Sequence, residues 1–591
     1  MRGAAGEALA GALLSGLLLV AGPAGAAGDA AAPVPDAVLT AGRIYTMDPM
    51  GRVVEALAIR DGRITALGSR EEILALAGPQ TRRIGLADDE AVFPGFTDAH
   101  VHLLDGGRSL LGLSLHAAAT ADEVVALVKA HAEAHPALAV IAGEGWELNL
   151  FPGAHPKKEL LDAVVPERPV VLIAADGHNA WVNSAALKAA GITKDTPDPP
   201  GGRIERDPKT GEPTGTLREA AVALVRAIVP EPTPAEQDAA LAAAMAYMND
   251  LGYTAAIDAA VTEGPMEEAF LRYARRSLEP DREHKAPQPG LDLRLCLLPG
   301  ADIMAGTMTR ADIAPVIERL KARRARFDAV GNPAVRADCV KIFVDGVMEN
   351  FTAAVLEPYR DVPEGVDPEG QLNIPPDVLA DHVTAVIAAG FQPHFHALGD
   401  RAVRVALDAL EAARARLGWA KLAAARPHLA HLELVDPADA PRFAALGATA
   451  NIQALWAYPD PYITDLTLPH LAPGRVNLLY PFAMLARAGA RLAMGSDWPV
   501  STPDPMAAAE VAVRRADPED DAAAPWLSDQ RLGLEGGDDG ADPGGSLSDG
   551  RGGRARHARR RQSGRPRRAH GGSLRGEPEG AFTHPCADDH A

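Results

Sequence analysis

Two pairs of histidines one residue apart stand out in this chain: His100 and His102 in "DAHVH", and His394 and His396 in "QPHFHALGD". Alternation along a strand puts both members of such a pair on one face, so two imidazoles can reach one cation while the residue between them packs the other way. "RPHLAHLELVD" adds His428 and His431, which a period of two sends to opposite faces, so only one of them points inward. Lys341 lies in "VKIFVDG", a run otherwise built for burial. A buried amine is costly unless paired or deprotonated, which predicts either a modified, metal-adjacent lysine or a pair with Asp345. Asp497 follows the apolar run of "LAMGSDWPV", where a carboxylate serves as a ligand or as a turn or helix cap. Each signal has an ordinary explanation in packing. Their order is stronger: H-x-H, Lys, His, His and Asp at successive strand ends would surround one point with nitrogen and carboxylate donors suited to Zn²⁺ or a similar ion.

Groups so far apart in the chain need a scaffold whose strand ends share one mouth. From Val92 to about Leu527, apolar strand-like runs alternate with Ala-rich helical runs. The strand candidates are "AVFPGFTDAHVH", "AVIAGEG", "PVVLIAADG", "CVKIFVDG", "GFQPHFHALGD", "PHLAHLELV", "GATANIQ" and "RLAMGSDWP". The helix candidates include "ADEVVALVKAHAEAH", "PAEQDAALAAAMAYMNDLG" and "PDVLADHVTAVIAAG". Alternating β and α with uninterrupted apolar strands predicts a closed (β/α)8 barrel over residues 92–527, with catalytic groups at the strand ends. Residues 36–91 read instead as short strands of a small β domain, with Asp61-Gly62 as a hairpin turn. The insertion "TPDPPGGRIERDPKTGEPTGTLREAA" is expected to form a pocket wall, with Glu219 a solvated helix charge or a group facing substrate.

The 591 residues leave room for such a barrel, of roughly 250 residues or more, plus a satellite domain. A net charge of −21 argues against nucleic-acid binding by the body of the protein. Cys296, Cys339 and Cys586 lack metal-type spacing and predict neither a disulfide framework nor a thiolate zinc site. Residues 1–27 carry Arg2, an apolar run and a small-residue stretch, which predicts a secretory signal and an exported protein; the alternative is a cytoplasmic chain with an Ala-rich extension. No other apolar run reaches the ~20 residues of a membrane span. Residues 532–591 are dominated by Gly and Arg, a composition that predicts disorder. With permitted codons, a one-nucleotide shift turns "GRPRRAHGGSLRG" into the strand-like "ADLVVLTEDLFE", so we infer a frameshift near Leu527 to Gly537.

"PGFTDAHVHL", "DGHNAWVNSAAL", "KIFVDGVMENFTAA", "FHALGDRAV", "AHLEL" and "GSDWPV" together resemble the amidohydrolase superfamily, in its amidohydrolase-3 branch of N-substituted formamide deformylase-type metal-dependent hydrolases. The resemblance covers about Asp36 to Leu527. It implies a mono- or binuclear metal barrel with a β-sandwich built from segments before and after the barrel, here incomplete in its C-terminal half. His100 and His102 become first-strand metal ligands and Lys341 a carboxylated, bridging lysine. His396 becomes the fifth-strand ligand and His431 the sixth, although Ala430 replaces the family's usual glutamate. Asp497 becomes both a ligand and the proton-transfer group. His178 and Trp146 match motifs near the substrate pocket, with core packing as the alternative for each. The implied reaction is hydrolysis of a non-peptide amide or cyclic amide by metal-activated water, with a small-molecule substrate and an open oligomeric state. A same-fold isomerase or decarboxylase, and an inactive frameshift product, are the other readings.

Overall fold

The computed structural model describes residues 34–48, 51–278, 290–300 and 307–533. The expected leader at 1–27, Cys586 and all but the first two residues of the expected tail lie outside the described residues.

Eight parallel strands form one sheet in strict chain order: Phe96–Val101, Tyr253–Val261, Asp292–Leu297, Val335–Phe343, Gln392–Ala397, His428–His431, Thr449–Ile452 and Arg491–Met494. The first and last are drawn together just beyond the strand ends. There the Asp497 N–H donates to the His100 carbonyl at 2.8 Å and the His102 N–H to the Trp498 carbonyl at 2.9 Å. Gly495 permits this approach, since a Cβ there would lie 2.5 Å from the His100 Cβ. The result is the expected (β/α)8 barrel, nearly closed.

Two of its strands differ from those read in the sequence. "AVIAGEG" and "PVVLIAADG" supply Ile141–Trp146 and Val170–Ala174, which belong to a separate six-stranded sheet with cores of its own. The second and third barrel strands are "YTAAIDAAV" and "DLRLCL". Alanine gives the first little strand character, and the charges of the second suggest half exposure. Arg294 in it is in fact paired with Asp338 at 2.7 Å and with Gln392 at 3.0 Å. The insertion forms two strands of the separate sheet, Gly202–Arg206 and Pro213–Glu219.

The small β domain contains Ala37–Tyr45, Val53–Arg60, Arg63–Gly68, Arg82–Gly85 and Ala91–Val92 in one five-stranded sheet. Asp61 and Gly62 both adopt positive φ, 49° and 71°, as a tight two-residue hairpin of right-handed twist requires. Among the described residues this sheet has no second layer of strands.

The expectation that the cysteines are unpaired is overturned. Cys296 and Cys339 lie opposite each other on neighbouring barrel strands and form a disulfide across a sequence separation of 43 residues. Nothing local in the sequence signals it, because only the parallel register makes the two residues neighbours.

Helices of the (β/α) pattern pack their apolar faces on the barrel, but Ala121–Ala134 packs on the inserted sheet, with Val124, Val128 and Ala132 in that sheet's core. The three helices expected from sequence are Ala121–Ala134, Pro234–Asp250 and Pro376–Ala388. The helices Pro265–Arg276 and Arg310–Asp328 are joined by a buried ion pair, Glu267 with Arg323; Arg323 also donates to the carbonyls of Leu298 at 2.7 Å and Val261 at 2.8 Å. Removing one partner strands a buried charge, so Glu267→Ala is expected to lower stability by about 3–5 kcal/mol. Urea unfolding followed by circular dichroism reads this directly, and a loss under ~1 kcal/mol would contradict the burial argument.

Candidate active site

The polar residues singled out in the sequence converge at one mouth of the barrel. His100 Nε2 lies 3.3 Å and His102 Nε2 3.1 Å from Asp497 Oδ1. His431 Nδ1 is 3.8 Å from Asp497 Oδ2. The His431 ring centre lies 4.8 Å from that of His100 and 4.6 Å from that of His396. Lys341 Nζ stands 3.1 Å from His100 Nε2. Thus His100, His102 and Asp497 bring their ligand atoms within 4.8 Å of one another, with Lys341 and His431 beside them; His396 Nε2 lies 3.1 Å from the Gly346 carbonyl, and His431 rather than His428 turns toward Asp497. His428 packs instead beside His394, 5.6 Å between ring centres.

The backbone is bent to achieve this. His431, Leu432 and Asp497 all have positive φ, 78°, 53° and 57°, a region that non-glycine residues rarely occupy and that concentrates at functional sites. Asp98 supports the first strand by accepting the N–H groups of His100 and Ser496, each at 3.0 Å. Gln453 accepts the His431 N–H at 2.8 Å, and Asn451 donates to the Ala99 carbonyl at 2.7 Å.

The electrostatics suit a cation. Burial, reinforced by neighbouring Lys341 or other imidazoles, holds His100, His396 and His431 well below the ordinary histidine range. They are therefore neutral near pH 7, the form that donates a lone pair to a metal. Burial also brings Lys341 down to about 8. Asp345 is no partner for it, because that carboxylate is occupied by the N–H groups of Ala354, Leu398 and Gly399. The donor set fits a metal on two counts. Both ring nitrogens of His431 and Oδ1 of Asp497 are buried without a hydrogen bond. Also, donors ~2.0–2.1 Å from a tetrahedral ion lie about 3.3 Å apart, close to the His–Asp497 separations seen here.

His178 stands beside this cluster, its ring centre 5.6 Å from that of His396. Its Nδ1 is 2.7 Å from Glu219 Oε2. Burial disfavours an imidazolium there, but the Glu219 carboxylate prevails and pushes His178 up to about 9. Glu219 is thus neither solvated nor on a helix; it ends the strand Pro213–Glu219 and is buried.

Trp146 takes the alternative role. It is wholly buried, packs against Phe151 and Trp181, and its indole N–H donates to the Leu172 carbonyl at 3.1 Å. It is a core residue of the inserted sheet with no polar atom left for a substrate, which corrects the pocket assignment.

Two neighbours were given no role in the sequence reading. Trp456 lies parallel to His431, 5.6 Å between ring centres. His394 donates to or accepts from His100 Nδ1 at 2.8 Å. Its other nitrogen, Nδ1, is buried without a partner. The H-x-H spacing singled out His394 together with His396 without assigning it a role; Trp456 carries no such signal.

A parallel barrel with imidazoles and a carboxylate converging beyond its strand ends defines a hydrolase of the amidohydrolase type. The chain belongs to the amidohydrolase family, whose profile matches residues 87–533, and so is a hydrolase acting on carbon–nitrogen bonds other than peptide bonds. It is 32% identical over 506 residues to the protein LONG AFTER FAR-RED 3 of Arabidopsis thaliana, covering 84% of this chain and 81% of that one. It is 27% identical over 510 residues to N-substituted formamide deformylase of Arthrobacter pascens, covering 84% and 86%. In fold it is similar to an uncharacterized metal-dependent hydrolase of Pyrococcus horikoshii, with a TM-score of 0.58 at 22% identity, covering 81% and 86%.

Proposed function

We propose that the chain hydrolyses a non-peptide amide or cyclic amide of a small molecule, using a divalent cation, most simply Zn²⁺, held by His100, His102, His396, His431 and Asp497, with Lys341 alongside. The observation that carries this reading is the convergence of His100 Nε2 and His102 Nε2 on Asp497 Oδ1, at 3.3 and 3.1 Å, beside a His431 ring whose two nitrogens are buried without a hydrogen bond. When bound, such an ion supplies water that is acidic near neutral pH and polarises a carbonyl oxygen. The protein's own residues do the rest. Asp497 takes the proton of the attacking water and returns it to the leaving nitrogen, completing amide cleavage to an acid and an amine. Asp98, Asn451 and Gln453 fix the backbones that carry His100 and His431, so that the donors need not reorganise.

The test is a screen of N-substituted formamides, other amides and cyclic amides with purified, zinc-loaded protein, products being resolved by mass spectrometry. Hydrolysis adds one water to the substrate mass, isomerisation adds nothing and decarboxylation removes carbon dioxide. Turnover that appears with zinc, stops with chelator and adds one water is expected. Turnover unaffected by chelation, or a product of unchanged mass, would overturn the proposal.

A further inference from the structure

The inserted sheet delivers to the barrel mouth a polar arrangement that its own folding does not need. Glu219 ends its strand at a φ of 52°, in the left-handed region. Both of its carboxylate oxygens are engaged: Oε2 by His178 Nδ1 at 2.7 Å, and Oε1 by Thr352 Oγ1 at 2.5 Å and Asn350 Nδ2 at 3.2 Å. The Glu219 N–H donates to the His178 carbonyl at 2.7 Å, so one residue pins both the ring and the backbone of the histidine. The His178 N–H is held in turn by Asp176 Oδ1 at 2.8 Å. Next door, buried Arg218 donates to Asn350 at 2.7 Å and to Asn179 at 2.9 Å, tying the insertion to the loop that follows the Lys341 strand. Even the backbone spacing is adapted, since a Cβ on Gly346 would lie 2.2 Å from Thr352 Oγ1 and 3.0 Å from Glu219 Oε1.

One polar atom is left over. His178 Nε2 makes no hydrogen bond among the described residues, while the side chain keeps 13% of its surface open and its ring lies next to His396. A buried network that satisfies every member except one atom at the mouth of a catalytic barrel is built for what enters that mouth.

We propose that His178 is a catalytic residue whose Nε2 hydrogen-bonds the reacting amide group, and that Glu219 is the positioning residue that fixes the ring for this contact. The inference rests on the amide-hydrolase reading above, and it places a substrate contact on the inserted sheet, in the turn between Val170–Ala174 and Asn179–Val182, rather than on a barrel strand.

The test uses the full chain, with acetohydroxamate as a probe that presents an amide-like group, and His178→Phe, Glu219→Gln and the double variant. Calorimetry on zinc-loaded protein is expected to show probe affinity lowered at least about tenfold in each single variant, with zinc content unchanged. Because Glu219 acts through His178, the double variant is expected to bind no more weakly than His178→Phe alone. Nitrogen-15 histidine NMR of the metal-free chain is expected to show a downfield Nδ1 proton that both single variants lose. Unchanged probe affinity, additive losses in the double variant, or no downfield proton in the metal-free wild type would each overturn the proposal. Failure of the wild type to bind zinc would instead sink the metal reading, leaving the NMR result to judge the His178–Glu219 pair. Glu219→Gln is isosteric and keeps the test decisive should His178→Phe fold poorly.

Discussion

An Asp497→Asn chain is expected to turn over its amide substrate about 10²–10⁴-fold more slowly than the wild type. Asparagine keeps the size of the side chain and one carbonyl oxygen, but it cannot accept a proton from water and return it to a leaving nitrogen. It is also the gentlest replacement for the backbone. Asp497 sits at a φ of 57°, a conformation asparagine tolerates better than most residues, and its N–H holds the His100 carbonyl at 2.8 Å. Loss of activity would therefore report lost proton transfer and weakened metal binding rather than a collapsed loop. Elemental analysis separates the two: a chain that still carries its metal yet has lost kcat has lost the proton shuttle. Activity within about tenfold of wild type would remove Asp497 from the mechanism.

His100→Ala is expected to weaken divalent metal binding at least about 100-fold, beyond the 10–100-fold that loss of a supporting residue typically causes. His100 is completely buried, with Nε2 beside Asp497 and Lys341 and Nδ1 at 2.8 Å from His394. The consequence should be visible in stability without any substrate. A ligand present at about 1,000 times its dissociation constant stabilises the folded state by about 4 kcal/mol. Wild-type protein should thus melt at a higher temperature with free Zn²⁺ than with chelator, whereas the His100→Ala chain should show almost no difference. Equal gains in both chains would mean that the ion binds elsewhere.

How much of this was legible beforehand varies by residue. The two H-x-H pairs, Lys341 and Asp497 could be read from local pattern, because a polar group inside an apolar, strand-forming run has few inexpensive explanations, whereas the choice of His396 over His394 came from the family resemblance. Their alternation also fixed which face they share. The choice of His431 over His428 needed only the period of two and the family resemblance, and the structure agrees in turning His431 toward Asp497. By contrast, the sequence reading took the strands of the inserted sheet for barrel strands. Apolar runs of five or six residues look alike in either sheet, and only pairing with neighbours distinguishes them.

The amino-acid sequence by itself determined the alternation of strand and helix and the residues able to donate to a cation, since these follow from local periodicity and side-chain chemistry; the family was carried by the quoted motifs. The tertiary structure alone decided that Glu219 leaves solvent to hold His178, that Trp146 is core, and that Cys296 meets Cys339. Each of those depends on contacts between segments tens of residues apart, whose free energies arise from burial and register and leave no mark on any short stretch of chain.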